Sequence, residues 1–402
     1  MARHRRARSA SQPWLIPTAV LLVVLPIAGG ILTAVRSDST AGPPQLSREG
    51  STRIAGPDAR PLPIGGEPGA YSIIYRVERY DPSRVVVSTD RLDVRRPFDS
   101  RVVGERGGHT VSERVSRLGA IVLSTGQGAR SIVAPPAAAS GDLRLSPVLA
   151  DAVESGALER REQRRVIGRR CQVFRAGGPI AAGDLVPVGT KAGEHADFCV
   201  DESGLVLEDV WYQGGRAIQR RVAEKLDTTV SFDATHFVLA NEEPYSRELG
   251  NGFIRRVDPA SGFEGTSYRL AADPAGFSFV GRFLVQPPNL SLYRNVLEEG
   301  ERPPEQISLV DVWQRGIDIV VLAQTIATDI AAVPPSSPTA RRFVLGPAGE
   351  AAAVLDLRMN EIRADLPEGR FLRLGGTLTR AALAEIASTL RAEEATGPVV
   401  ID

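Results

Sequence analysis

The sequence predicts a mainly antiparallel α+β protein of two units behind an N-terminal transmembrane helix. Three observations predict it. Residues 14–35, "WLIPTAVLLVVLPIAGGILTAV", are uncharged and follow a basic N-terminus. From residue 70 onward, short segments rich in Val, Ile and Tyr alternate apolar and polar residues, as half-buried strands do. Only two later stretches carry helical spacing, near residues 146–156 and 379–390.

The N-terminus comes first in chain order. About 20 apolar residues span a bilayer core. Residues 1–13 hold Arg3, Arg5, Arg6 and Arg8 and no acid, so this tail stays cytoplasmic and the rest is exported. The chain is then a single-pass cell-membrane protein with extracytoplasmic domains. A cleaved signal peptide is the alternative, although its apolar region is usually shorter and ends in a small-x-small site. Residues 36–68, rich in Ser, Gly and Pro, read as a flexible linker. With 48 basic and 48 acidic residues, net charge is zero, and nothing favours nucleic acid.

The first domain spans residues 69–245. "YSIIYRVERY", "RVVVSTDRLDV", "PFDSRVVGE" and "RLGAIVLST" read as strands. "LSPVLADAVESGAL" reads as a helix capped by Ser146, with Pro147 in its first turn, Leu149, Ala152 and Val153 on one face, and Gly156 ending it. "RVIGRRCQVFRA", "DFCVDES" and "LVLEDVWYQ" continue the strands, the last turning at Gly214-Gly215 into "RAIQRRVAEKLD". A long antiparallel sheet with one inserted helix wraps that helix as an open half-barrel. The second, smaller α+β domain spans residues 246–402. "SLVDVWQRGIDIVVLAQ" is a hairpin turning at Arg315-Gly316, and "RRFVLGPAGEAAAVLDL" is another. "NEIRADLP" and "RFLRLGG" add strands. Thr379 then caps a helix whose stripe is Leu383, Ile386, Ala387 and Leu390.

Cys171 and Cys199 are the only cysteines. Each sits in a strand, on a face that reads as polar: Arg169, Val173 and Arg175 beside one, Asp197 and Asp201 beside the other. Antiparallel pairing would set the cysteines opposite each other and the arginines opposite the aspartates. A disulfide is the leading reading, since exported chains meet oxidising conditions. Two inert thiols, or a metal or catalytic role, are the alternatives.

Candidate chemistry is sparse. His195 lies near Asp197 and Cys199, which admits a metal or Cys-His site; an exposed loop histidine is the plainer reading. Glu208-Asp209 and Glu242-Glu243 read as solvated strand or loop residues, and adjacent strand positions face opposite ways. There is no H-E-x-x-H, G-x-S-x-G or Walker loop. No catalytic residue, metal or cofactor is expected. Ile73, Tyr75, Val77, Val85 and Val87, with Leu149 and Val153 on the helix, are the candidates to line a ligand cavity inside the half-barrel. The alternative is that they fill a core.

The strands "YSIIYRVERY", "DRLDVRRPFDSRVV", "RRVIGRRCQVFRAG" and "DFCVDESGLVLEDVWYQGGRAIQRRVAEKL" resemble the MucB/RseB family of periplasmic sigma-factor regulators, which share the LolA/LolB lipoprotein-carrier fold. Gly168, Cys171, Phe174, Asp201, Gly204, Leu205 and Leu207 fit the family pattern. The likeness is strongest over residues 166–226 and covers about half the chain. It implies a LolA/RseB-like half-barrel and binding rather than catalysis. A membrane-anchored sensor or regulatory protein is the expectation, holding a lipid or acyl ligand, or an anti-sigma factor or other envelope protein, in envelope signal transduction. The alternative is a lipid or lipoprotein carrier of the LolA/LolB type. A hydrolase with an unrecognised site is a third reading.

Overall fold

A computed structural model describes residues 50–54, 62–66, 68–125, 128–133, 151–154, 156, 158–177, 195–239, 253–263, 266–286, 306–327, 341–344, 350–355, 360–366, 370–394 and 397–398. The expected span at 14–35, the domain boundary at 245–246, and Leu149, Glu242 and Glu243 lie outside these residues. No helix among the described residues is long and apolar enough to cross a membrane.

The first unit contains β1 (Ser51–Ile54), β2 (Ala70–Asp81), β3 (Arg84–Arg95), β4 (Asp99–Arg106), β5 (His109–Arg117), β6 (Ala120–Thr125), β7 (Gly128–Val133), β8 (Leu158–Val166), β9 (Arg169–Gly177), β10 (His195–Asp201), β11 (Val206–Gln213) and β12 (Arg216–Asp227). They form one twelve-stranded antiparallel sheet in the order β1-β8-β9-β10-β11-β12-β2-β3-β4-β5-β6-β7. Two meanders meet where β12 pairs with β2. β1 and β7 end the sheet without pairing to each other, so it is open rather than a closed barrel.

Residues 151–154 are helical, and Gly156, at φ 74°, follows in the left-handed conformation that glycine adopts freely. Ala152 is buried among Leu158, Phe174, Ala196, Phe198 and Trp211, with Val153 packed alongside. The β8–β11 part of the sheet therefore packs against this helical turn. A second cluster joins Tyr71, Ile73, Tyr75 and Val77 of β2 to Cys171, Val173, Cys199, Leu205 and Leu207.

Three details depart from the sequence reading. Two strands with little apolar content, β5 ("HTVSERVSR") and β8 ("LERREQRRV"), are held by neighbours on both sides. "RVIGRRCQVFRA" is not one strand: Ile167 and Gly168 turn between β8 and β9 with φ of 45° and 78°. Residues 51–54, expected within a flexible linker, form β1 on the edge of β8. Ile64 then packs on the first cluster, and the Gly65 amide donates to the Glu202 carbonyl. The physical reason is that β8 offers an unpaired edge, and a strand edge is satisfied by any extended neighbour.

After β12, a 3-10 turn, η1 (Ala234–Phe237), buries Phe237 beside Val115 and Val122. Three arginines pin it by donating to its carbonyls or to the one two residues before it: Arg95 to Phe232, Arg101 to His236 and Arg117 to Phe237.

The second unit contains β13 (Phe253–Val257), β14 (Ser261–Gly262), β15 (Thr266–Leu270), β16 (Ser278–Gln286), β17 (Gln306–Arg315), β18 (Asp318–Ala327), β19 (Arg341–Val344), β20 (Glu350–Leu355), β21 (Asn360–Leu366), β22 (Arg370–Gly376), α1 (Arg380–Ala387), β23 (Leu390–Glu394) and β24 (Gly397–Pro398). Its eight-stranded sheet runs β13-β16-β17-β18-β22-β21-β20-β19, and β15–β23 and β14–β24 pair separately. The β17–β18 turn is Gly316-Ile317, one residue later than the sequence suggests, since Arg315 pairs with Asp318. The Thr379 hydroxyl accepts from the Ala382 amide and caps α1 as expected. Leu383 and Ala387 bury against Trp313, Leu322, Ile362 and Leu374. Leu390, expected on the helix, instead opens β23 and reaches the same cluster.

The two units touch. Phe98 packs on a second-unit cluster containing Val285, Val310 and Ile254. Gly119 lies so close to Ile254 that a Cβ there would meet its Cδ1 at 2.4 Å.

Candidate functional site

The disulfide exists: Cys171 and Cys199 are bonded, with Cα atoms 5.2 Å apart. They are diagonal rather than directly opposite, because Cys171 pairs with Asp201 and Val173 with Cys199. The arginine–aspartate facing expected from the alternation is present. Arg175 grips both carboxylate oxygens of Asp197 at 2.7 Å, and Arg169 sits 2.7 Å from Asp201. The face that reads as polar is nonetheless interior, with Cys171 at 0% and Cys199 at 2% exposure. Pairing neutralises the flanking charges, and that is what lets such a face be buried.

Asp201 explains the turn after β10. Its carboxylate accepts from the Ser203 and Leu205 amides, an Asx-type turn completed by Gly204 at φ 74°. Burial raises the Asp201 carboxyl above its ordinary value, and those hydrogen bonds and Arg169 only partly counter it.

The seven proposed cavity residues separate. Ile73, Tyr75 and Val77 join the disulfide in one buried cluster. Val153 packs on the other cluster, under the helical turn. Val85 and Val87 are 42% and 46% exposed, at the free end of the β2–β3 hairpin.

Glu208 and Asp209 are not solvated; their exposures are 2% and 0%. They do diverge, as adjacent strand positions must. Glu208 collects Ser51 Oγ at 2.8 Å, Arg164 Nη1 at 2.9 Å and Arg220 Nε at 2.8 Å. Arg220 also approaches Glu78, to which Tyr80 donates. Asp209 accepts from Trp211 Nε1 at 2.8 Å and Arg221 Nε at 2.7 Å. Arg221 lies over the Tyr75 ring. Burial would lower the Arg221 guanidinium, but Asp209 beside it reverses that and holds it above its ordinary value. Burial raises the nearby Asp90 carboxyl despite Arg221 and Arg79. A sequence signal existed: "ED" and "RR" sit on either side of Gly214-Gly215, and hairpin register sets Asp209 opposite Arg221.

A histidine cluster also escaped the sequence reading. His236 Nε2 lies 2.8 Å from Asp93, which accepts from Ser72 Oγ at 2.6 Å and Arg91 Nε at 3.0 Å. The carboxylate stands between the hydroxyl and the imidazole. A nucleophilic triad needs the imidazole in that central place to take the hydroxyl proton, so this set pins η1 to the sheet. His195 stacks on Tyr212 at 4.2 Å. Among the described residues no group of three His, Cys, Asp or Glu could hold a metal.

These features define a class: an open antiparallel sheet, stapled by a disulfide and laced by buried ion pairs, joined to a second sheet unit. No protein-family description matches the sequence, and no curated protein matches it. Solved structures similar to it include MucB, at 14% identity over 81% of this chain and 93% of that one, TM-score 0.30. MucB in complex with MucA(peri) is similar at 15% identity over 81% and 94%, TM-score 0.27. The LolA superfamily protein NE2245 from Nitrosomonas europaea is similar at 8% identity over 44% and 93%, TM-score 0.24.

Proposed function

We propose that this protein is a non-enzymatic, membrane-anchored extracytoplasmic sensor or regulator of the MucB/RseB type. The observation that carries the reading is the open sheet held by Cys171–Cys199. A buried disulfide suits an exported chain, and an open sheet folded on a helical turn is a scaffold for holding a ligand or partner. The uncharged run at 14–35 supports the anchor. The polar clusters of the first unit are consumed in ion pairs, which supports binding over catalysis. The second unit takes the protein partner, an anti-sigma factor or another envelope protein. The first unit takes a lipid-like ligand within its open sheet.

Carboxylate-directed cross-linking in intact cells tests the partner. Cross-links from residues 253–398 to one recurrent envelope protein support the regulator. A chain that cross-links only to itself while carrying lipid points to a carrier of the LolA/LolB type.

A further inference from the structure

We infer that one rim of the first sheet docks on an anionic bilayer surface. Five large hydrophobics among the described residues are exposed; Val85, Val87 and Ile218 lie at one end of this sheet, and Val111 follows the β4–β5 turn at the level of Thr89 and Asp90. Register places them there. The β2–β3, β4–β5 and β11–β12 hairpins all turn at that end, at residues 82–83, 107–108 and 214–215. Val85 and Val87 share a strand face by alternation. Val85 pairs with Tyr80, and Ile218 precedes the Gln219–Arg79 pair, at the same level. Apolar residues gathered in this way mark a contact surface more than scattered ones do.

Charge selects the partner. The exposed rim residues include Arg79, Arg84, Arg106 and Arg216 against Asp81 and Glu105. The Arg84 side chain is 74% exposed, with Asp81 3.7 Å from its Nε. Arginines around small apolar side chains suit an interface of anionic headgroups over acyl chains. Reach permits it if the chain is anchored as proposed above, a reading on which the geometry of docking rests. Any 14-residue chain, the length between 36 and 49, reaches about 50 Å at most, and the 12-residue strand β2 is about 40 Å long. The rim can therefore meet the membrane even though β1 enters at the sheet's other end, beside Val166.

Hydrogen exchange of the full chain with vesicles of phosphatidylglycerol or phosphatidylcholine reads rim and anchor separately. The inference expects phosphatidylglycerol to protect the three hairpin tips, and phosphatidylcholine to protect them much less. Val85→Ser with Ile218→Ser should remove the protection. Arg84→Gln and Arg216→Gln should each weaken it about fivefold. These side chains are exposed, so the variants keep the fold. Protected residues 14–35 with unprotected tips overturn the rim and leave the anchor standing. Protected tips with exposed residues 14–35 support the rim and overturn the anchor. Tips already protected without vesicles mark a protein-covered surface and overturn the inference.

Discussion

Glu208 ties three other strands to β11. One carboxylate, 2% exposed, satisfies Ser51, Arg164 and Arg220 from three different strands. Removing one partner of a buried ion pair strands the others, at about 3–5 kcal/mol. Glu208→Ala should therefore lower the chemical denaturation free energy by that amount. Glu208→Leu with Arg220→Met should recover only part of it, because Arg164 and the buried Glu78 then each lose a partner. Asp90 behaves in the opposite sense. Its folded pKa is raised above 3.8 by burial, so the folded state binds this proton more tightly than the unfolded state. That stabilisation is full below the ordinary value and is lost as pH rises through the raised one. Asp90→Asn should melt higher than wild type at pH 7, with the gap closing toward pH 3. Titrating melting temperature against pH for both proteins checks this.

At the scale of elements, the disulfide and the caps set what can open. Closing a 28-residue separation between β9 and β10 contributes roughly 3.5 kcal/mol in the loop-entropy model. Cys171→Ala with Cys199→Ala should lose about that much, and reductant should affect wild type but not the variant. Thr379→Ala, which removes the α1 cap, should cost about 1 kcal/mol. Most of these elements were legible in the sequence. β2 and β3 largely alternate, the apolar residues of β10 and β11 mark strands, the Gly214-Gly215 turn is explicit, and α1 has its cap and stripe. β5 and β8 were not legible, because their residues are mostly polar and only neighbours on both sides make them strands. β1 was hidden in a Ser- and Gly-rich stretch, because only the edge of β8 makes it a strand. Burial of Glu208 and Asp209 was half legible: the opposed charges flank the turn, but a pattern of charges does not say which face is interior.

Across the whole molecule, Asp151 joins the helical turn of the first unit to the second. Its carboxylate accepts from the Arg380 amide at 2.7 Å, at the start of α1, and from Asn360 Nδ2 at 2.9 Å. Its carbonyl accepts from the Arg380 side chain. The next residue, Ala152, is buried against the first sheet. Asp151 thus ties this helical turn to the first residue of α1. Asp151→Ala should leave each sheet folded but speed hydrogen exchange over residues 380–387, and should separate the two units' unfolding transitions in calorimetry. Gly119→Val, which drives a side chain into Ile254 in a left-handed backbone position, should do the same at the other contact. None of this coupling was visible in the sequence, since it joins positions 209 and 229 residues apart.

The function proposed above has the molecule bind rather than catalyse. Native mass spectrometry of the full chain, released gently from its membrane and followed by lipid extraction, tests it most directly. The account predicts a stoichiometric protein partner or a bound acyl species on a chain two hydrogens lighter than its reduced mass. A bare chain carrying neither, prepared under the same conditions, would contradict it.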